Sequence, residues 1–308
     1  MGIQITGWGC ALPEKIVTNA DFASRLETSD EWIVERTGIR ERRFGGTSGS
    51  LAAEAGQRAL DVAGVDPSTV DLVVLATTTP DRLMPATAAY VQDALGCRGA
   101  AMDLNAACSG FVYALITAAG ICELGASRAL VVGADVMSRI VDQDDRGTAV
   151  LFGDGSGAVI IDRQDGPGAL LGWDLGGDGS LRHLLNCEYG GYTFMAGKEV
   201  FRQAVRVMVD SCAAALTRAG VSADDVTLLI PHQANTRIVS AACERLGISM
   251  DRTALVLERT GNTSAASIPL ALVDAVENGR LNDGDVVLMS GFGAGMSWAS
   301  AVLQWRAS

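Results

Sequence analysis

The feature that most constrains this chain is an internal duplication. "VDLVVLATTTP" (Val70–Pro80) is repeated in form by "DDVTLLIPHQA" (Asp224–Ala234), and "FGDGSGAVIID" by "AGMSWASAVLQW". Between these pairs, "ACSGFVYALITAAGICELGASRALVVGAD" parallels "GNTSAASIPLALVDAVENGRLNDGDVVLMSGFG": small or polar residues, a helix, a glycine, then a strand. A period this long is not a solenoid. It describes two α/β halves packed about a pseudo-twofold axis, two sheets around shared helices. Thr78 to Cys108 and His232 to Asn262 both span 30 residues, which suggests that Cys108 and Asn262 open equivalent helices. Strand ends and helix starts face the crevice in such sheets, so these positions should converge.

The periodicities agree. Strand-like runs cover Leu72–Thr78, Ala129–Gly133, Ala158–Ile161, Thr227–Pro231, Val286–Ser290 and Ala301–Trp305; helical patterns cover Ser50–Ala63, Ala86–Leu95, Ser109–Leu124, Lys198–Ala219, Asn235–Leu246 and Ala265–Asn278. Alternation of this kind predicts an α/β architecture with largely parallel central strands. The join falls near Arg163–Gly168, where Asp165-Gly166-Pro167-Gly168 is rich in turn formers, giving halves 1–165 and 166–308.

Composition removes several function classes. With 48% hydrophobic residues and a net charge of −12, the chain is neither disordered nor a general nucleic-acid binder. Its seven cysteines contain no C-x-x-C pair and meet only two histidines, His183 and His232. That predicts a reduced, cytoplasmic protein with no metal site. No apolar run is long enough to span a membrane without interruption, and the start lacks a charged, then apolar, leader. The first six residues formally fit a myristoylation pattern, but the alternation Ile3, Ile5, Gly7 reads better as a first strand.

Three residues carry the chemistry. Cys108, in Asn105-Ala106-Ala107-Cys108-Ser109-Gly110, opens an almost wholly apolar helix. The dipole of a buried helix is expected to lower the thiol pKa there and make a nucleophile. His232 ends a strand in Ile230-Pro231-His232-Gln233-Ala234-Asn235, and Asn262 sits in Gly261-Asn262-Thr263-Ser264. Together the two can offer two donors to one developing oxyanion. The order Cys, His, Asn also occurs in papain-like proteases, but their cysteine context is absent and the duplicated α/β pattern is wrong for them. Gly153-Asp154-Gly155-Ser156-Gly157 lacks the Lys-Ser/Thr of a phosphate-binding loop and is expected to be a tight turn near the site.

Six stretches, "TSDEWIVERTGIRERR", "AACSGF", "DRGTAVLFGDGSGAV", "IPHQANTRI", "GNTSAASIP" and "GFGAGMSW", run in order from Thr28 to Trp298. In these the chain resembles the β-ketoacyl-acyl carrier protein synthase III family of thiolase-fold condensing enzymes. The resemblance implies two βαβαβ-type halves layered α-β-α-β-α, with Cys108, His232 and Asn262 as catalytic triad. It implies decarboxylative condensation of an acyl-coenzyme A starter with malonyl-acyl carrier protein through an acyl-cysteine, initiating fatty acid or related polyketide synthesis. The alternative is a same-fold acyltransferase or priming ketosynthase of a secondary pathway. No resident cofactor is implied; coenzyme A arrives as substrate.

The resemblance also implies binding residues. Trp32, with Arg36, Thr37 and Arg146, would hold the coenzyme A nucleotide. The other reading of the cluster Arg36, Arg40, Arg42 and Arg43 is a solvated face. Asn235 would line the pantetheine channel, and Phe292 would wall the triad. The loop containing Ala294 would complete an oxyanion hole with the Cys108 N–H. The carrier protein would dock on Gln233, Ala234, Asn235, Thr236 and Arg237, helped by Arg202 and Arg206. The stretch from Asp162 to Met195, shorter than is typical of the family, borders the acyl tunnel and brings in Met195. The stretch "DRLMPATAA" would place Met84 at the tunnel of a second subunit in a homodimer, consistent with a mean hydropathy of +0.24. His183 reads as structural or surface.

Overall fold

The structure, a computed structural model, describes residues 2–166 and 168–306. Met1 of the myristoylation pattern and Pro167 of the expected join lie outside the described residues. The first half runs β1 (Ile3–Ala11), β2 (Ile16–Thr18), α1 (Asn19–Ala23), α2 (Asp30–Thr37), β3 (Glu41–Arg43), α3 (Ser48–Ala63), β4 (Leu72–Ala76), α4 (Thr87–Leu95), β5 (Ala100–Leu104), α5 (Gly110–Glu123), β6 (Arg128–Val136), α6 (Arg146–Ala149) and β7 (Asp154–Arg163). The second runs β8 (Leu170–Gly177), β9 (Leu185–Asn186), β10 (Phe194–Met195), α7 (Gly197–Ala219), β11 (Leu228–Pro231), α8 (Thr236–Leu246), α9 (Leu257–Thr260), α10 (Ser267–Glu277), β12 (Val286–Gly293) and β13 (Ser297–Gln304).

Two large sheets result, ordered β1-β7-β6-β4-β5 and β11-β12-β13-β8, with the two-stranded ribbons β2-β3 and β9-β10 beside them. Helices α5 and α10 lie between them and are buried almost all round, which is why their sequences carry no polar stripe. Helices α3 and α4 cover the outer face of the first sheet, and α7 and α8 that of the second. The layers are therefore α-β-α-β-α, the thiolase-like arrangement.

The sheets are mixed, not largely parallel. Only β4–β5, β4–β6 and β11–β12 pair parallel; β1–β7, β6–β7, β12–β13 and β13–β8 are antiparallel. Between β12 and β13 there is only a short turn, and a parallel pair needs a crossover of a dozen residues or more. The second sheet also stops at four strands: a lone bridge, Leu229 to Thr253, stands where β5 has its counterpart. Nor is Asp154-Gly155-Ser156-Gly157 a turn. It lies inside β7, and its small residues let α10 approach: a Cβ on Gly157 would fall 2.7 Å from Pro269 Cβ.

The duplication is sharpest at two elbows. A 3₁₀ turn, Ala107–Ser109, feeds α5, and another, Ser264–Ala266, feeds α10. Each starts on a left-handed residue, Ala107 (φ 49°) and Ser264 (φ 53°). In each, an asparagine two residues earlier accepts that residue's N–H: Asn105 Oδ1 from Ala107 at 3.1 Å, and Asn262 Oδ1 from Ser264 at 2.9 Å. The counterpart of Asn262 is therefore Asn105, and that of Cys108 is Ala265. Equal spacing in sequence paired the wrong residues because the connections before the two elbows differ in length.

Candidate active site

Each half's central strand packs against the other half's elbow. Strand β12 brings Gly291 and Gly293 against the first elbow, and β6 brings Gly133 against the second. A Cβ on Gly293 would lie 2.5 Å from the Cys108 nitrogen and 2.8 Å from Ala107 Cβ, so only glycine lets the strand come so close to the Cys108 backbone. Ser297 ties this loop to the first elbow: its hydroxyl donates to Ala106 O at 2.9 Å and pairs with Ser109 Oγ at 2.9 Å.

The cavity at this junction measures about 530 Å³. It brings Cys108, His232 and Asn262 together, with Trp32, Arg36, Thr37, Met195, Ala234, Asn235, Arg237 and Phe292 also on its wall. Cys108 donates from Sγ to Ser264 Oγ at 3.4 Å. His232 Nδ1 is 2.7 Å from Ser267 Oγ, and its ring meets the edge of Phe292 at 5.3 Å between centroids. Because the Asn262 carbonyl oxygen is held by Ser264 N–H, the amide's NH₂ end is the one left for the cavity.

The electrostatics differ from expectation at Cys108. Burial pushes the Cys108 thiol from an ordinary 9.0 up to about 12; the Ser264 hydroxyl opposes the rise and the Asp135 carboxylate adds to it. A rise of that size is worth about 4 kcal/mol, whereas a helix terminus supplies about 0.3–1 kcal/mol and rarely more than ~2. The resting residue is thus a thiol, not the thiolate that the helix start suggested. Burial likewise pushes His232 from 6.5 down to about 3, so its imidazole is neutral.

Arg146, Arg42, Arg40, Gln233, Thr236, Ala294, Met84 and His183 lie outside the cavity lining. Arg146 lies at the rim, its guanidinium 5.0 Å from the Trp32 ring, with that of Arg36 at 5.7 Å. Arg42 belongs neither to a solvated face nor to a nucleotide site: it is fully buried, donating to Asn19 Oδ1 and Val150 O beneath Phe22. Arg40 is paired with Glu258. Gln233 is fully buried too, its amide satisfied by Pro231 O, Ala254 O and Val256 N, so its side chain offers nothing to a docking partner. Asn235 and Thr236 anchor the start of α8 to α2 by donating to Arg36 O and Thr37 O, while Arg237 is exposed and lies over Phe201. Ala294 is not on the cavity wall; its carbonyl oxygen lies 3.1 Å from Ser297 Oγ, whose hydrogen goes to Ala106 O. Met84 is 84% exposed, in the loop that precedes α4, and does not line this cavity. His183 is exposed, as expected.

Three features escaped the sequence. Lys198 and Phe201 reach the cavity from the first turns of α7. With Arg36 and Arg237, Lys198 makes the wall cationic, and among the described residues no acidic one lines it. The third is Asp135, which is 0% exposed and accepts from Thr77, Thr78 and Thr79 through Oδ1 and from Ala265 N–H through Oδ2. It thereby pins the second elbow to the loop after β4.

Comparison with known proteins decides the family. The 3-oxoacyl-[acyl-carrier-protein (ACP)] synthase III profile matches residues 102–179, and the profile for that enzyme's C-terminal part matches residues 216–305. The β-ketoacyl-[acyl-carrier-protein] synthase III of Roseiflexus castenholzii is 50% identical over 98% of each chain. The chain belongs to the β-ketoacyl-acyl carrier protein synthase III family. The solved structure of the family member from Aquifex aeolicus superposes with a TM-score of 0.97 at 43% identity, covering 99% of this chain and 100% of that one. The priming β-ketosynthase of the R1128 polyketide pathway follows at 0.93 and 36%, covering 99% and 96%. As a member of this family the chain is a condensing acyltransferase, and the initiating condensation of fatty acid synthesis is its reaction class.

Proposed function

We propose that Cys108 takes an acyl group from acyl-coenzyme A and passes it to a malonyl-acyl carrier protein, giving a β-ketoacyl-carrier product. The observation that carries this reading is the single cavity in which a thiol, a neutral imidazole and an outward-facing amide meet below a cationic wall. In the first half-reaction the sulfur attacks the thioester carbonyl, the oxyanion rests on the Cys108 N–H and a backbone N–H of the 291–295 loop, and coenzyme A leaves with the thiol's proton. In the second, the malonyl group loses CO₂, and His232 and Asn262 donate to the enolate oxygen. The enolate carbon then attacks the acyl-cysteine, and the released sulfur is reprotonated.

The wall suits these substrates. Trp32 with Arg36 and Arg146 offers a flat aromatic face and planar cations to a nucleotide with phosphates. Thr37, Asn235, Ala234 and Met195 line the path inward, and Arg237 and Thr236 present the start of α8 to an acidic carrier. At a net charge of −12 the chain as a whole would repel such a partner, so a local cationic patch must do the docking. A priming ketosynthase of a secondary pathway is the second reading, favoured by the R1128 likeness; it differs in starter and acceptor, not in the half-reactions.

We further propose a homodimer, a cytoplasmic location, and a boundary between halves at 165/166. Support for the dimer is β5, an edge strand, beside α4 and its preceding loop, where Leu83 and Met84 are over 80% exposed and Tyr90 is 54% exposed. Support for the location is seven free cysteines and no described helix long and apolar enough to cross a membrane. Support for the boundary is that the strands of the first sheet come from residues 3–163 and those of the second from 170–304.

The test separates the half-reactions. His232→Ala and Asn262→Ala should slow malonyl decarboxylation about 10²-fold or more, the effect of one oxyanion donor, and slow acylation of Cys108 far less. Equal losses in both would give His232 a general-base role and overturn this assignment.

A further inference from the structure

The neutral ring of His232 could carry its proton on either nitrogen, and only one choice makes it a donor to the enolate. We infer that Ser267 makes that choice: its hydroxyl donates to His232 Nδ1 and so keeps the proton on Nε2. This deepens the condensation reading above and, for its catalytic consequence, rests on it.

Ser267 is 0% exposed and His232 is 1% exposed, so the Ser267 hydroxyl and the Nδ1 it faces have no water to fall back on. Ser267 Oγ stands 2.7 Å from Nδ1 and also accepts the backbone N–H of Gln233 at 3.3 Å. A hydroxyl has one hydrogen and two lone pairs. Suppose Nδ1 carried the proton. Ser267 Oγ would then accept twice, from Nδ1–H and from Gln233 N–H, and its own hydrogen would face no acceptor. Among the described residues Nδ1 is the one acceptor within its reach. With Nδ1 bare, Gln233 N–H donates to Oγ and the Ser267 O–H to Nδ1, and the Nε2–H is the end left to the open cavity that His232 lines. Leaving a buried donor unmade is the costlier arrangement, so the Nε2–H tautomer is selected. The hydrogen bond at one ring nitrogen sets the state of the other.

The placement has a structural logic. Ser267 is the first residue of α10, immediately after the second elbow. The same short stretch, residues 262–267, therefore supplies the amide donor (Asn262), the acceptor for the Cys108 thiol (Ser264) and the hydroxyl that sets the imidazole. In the first half the equivalent helix position is Gly110, which has no side chain to do this. Ser267 is a positioning residue: it touches neither substrate nor reacting atoms and acts through His232.

The chain has only two histidines, which makes the test direct. With ¹⁵N-histidine labelling, long-range ¹H–¹⁵N spectra of the resting protein should show two imidazoles, one insensitive to pH in the neutral range. That one should give the pattern of an Nε2–H tautomer. Ser267→Ala should shift it toward Nδ1–H or a mixture, and Ser267→Thr should restore it. Malonyl decarboxylation should fall about 10-fold or more in the alanine variant, with acylation of Cys108 and the KM for acyl-coenzyme A unchanged, and should recover in the threonine variant. An Nδ1–H pattern in the wild-type protein overturns the inference even if Ser267→Ala fails to fold. Unchanged ring spectra in Ser267→Ala overturn it as well. Because the spectra need no substrate, failure of the condensation reading would leave the tautomer result standing on its own.

Discussion

Replacing Gly293 by alanine tests how tightly the second half grips the nucleophile. The added Cβ would lie 2.5 Å from Cys108 N and 2.8 Å from Ala107 Cβ, where ordinary contact begins near 3.4 Å. Strand and elbow must then part by about 0.9 Å to make room. Neither yields easily. The elbow is fixed by the left-handed Ala107 and by α5, which is wedged between the sheets; the strand is paired with both β11 and β13. Overpacking of this kind costs about 1–3 kcal/mol. The same shift separates Cys108 N–H from the loop that is proposed to share the oxyanion, and a misplacement of about 1 Å can cost ~10²-fold in rate. Single-turnover transfer of acetyl from acetyl-coenzyme A to Cys108 should therefore slow about 10²-fold, with a Tm only a few degrees lower. Gly120 is the control, since a Cβ there meets nothing within 4 Å. Gly120→Ala should keep the wild-type rate and match or gain stability by about 0.4–1 kcal/mol. Wild-type acylation in a folded Gly293→Ala protein would refute the reasoning.

Four other outcomes are expected. Asp135→Asn puts an NH₂ group among donors and should cost about 2–4 kcal/mol in urea unfolding; a loss below about 0.5 kcal/mol would contradict the pinning role. His232 is held near 3 against an ordinary 6.5, so the unfolded chain binds a proton that the folded chain refuses. Its contribution is full above pH 6.5 and is lost as pH falls toward 3, by at most about 1.4 kcal/mol per pH unit; His232→Asn should flatten that part of the stability profile, and equal slopes would count against it. Arg237→Glu should raise the KM for malonyl-carrier about 10-fold at low salt and spare that for acyl-coenzyme A; no change at low salt would remove Arg237 from docking. Met84→Trp should shorten the acyl chain accepted while scattering still gives twice the 32.0 kDa chain mass; an active monomer would remove both the dimer and the role of Met84.

The duplicated architecture was legible because strand and helix periodicities and their order are local properties of the chain. Strand direction was not: whether β12 and β13 pair parallel depends on the short turn between them, which an apolar pattern does not reveal. Counting residues paired Cys108 with Asn262, while the repeated Asn-to-amide hydrogen bond pairs Asn105 with Asn262. That Cys108, His232 and Asn262 share one cavity, and much of that cavity's wall, was readable from motifs. Burial was not, and it accounts for three of the corrections: the interior Arg42, the interior Gln233, and the protonated thiol of Cys108. Lys198 stood out as one of two lysines, yet only the position of α7 reveals that it faces the cavity.

Intact-protein mass spectrometry in two steps tests the central claim most directly. After acetyl-coenzyme A, the wild-type chain should gain one acetyl group, on the peptide containing Cys108, and Cys108→Ala should gain none. After malonyl-acyl carrier protein is added, that acetyl group should disappear from the chain and reappear as a β-ketoacyl group on the carrier, with one CO₂ released per transfer. An acetyl group that forms equally well in Cys108→Ala, or that stays on the wild-type chain when the malonyl carrier arrives, would contradict the account.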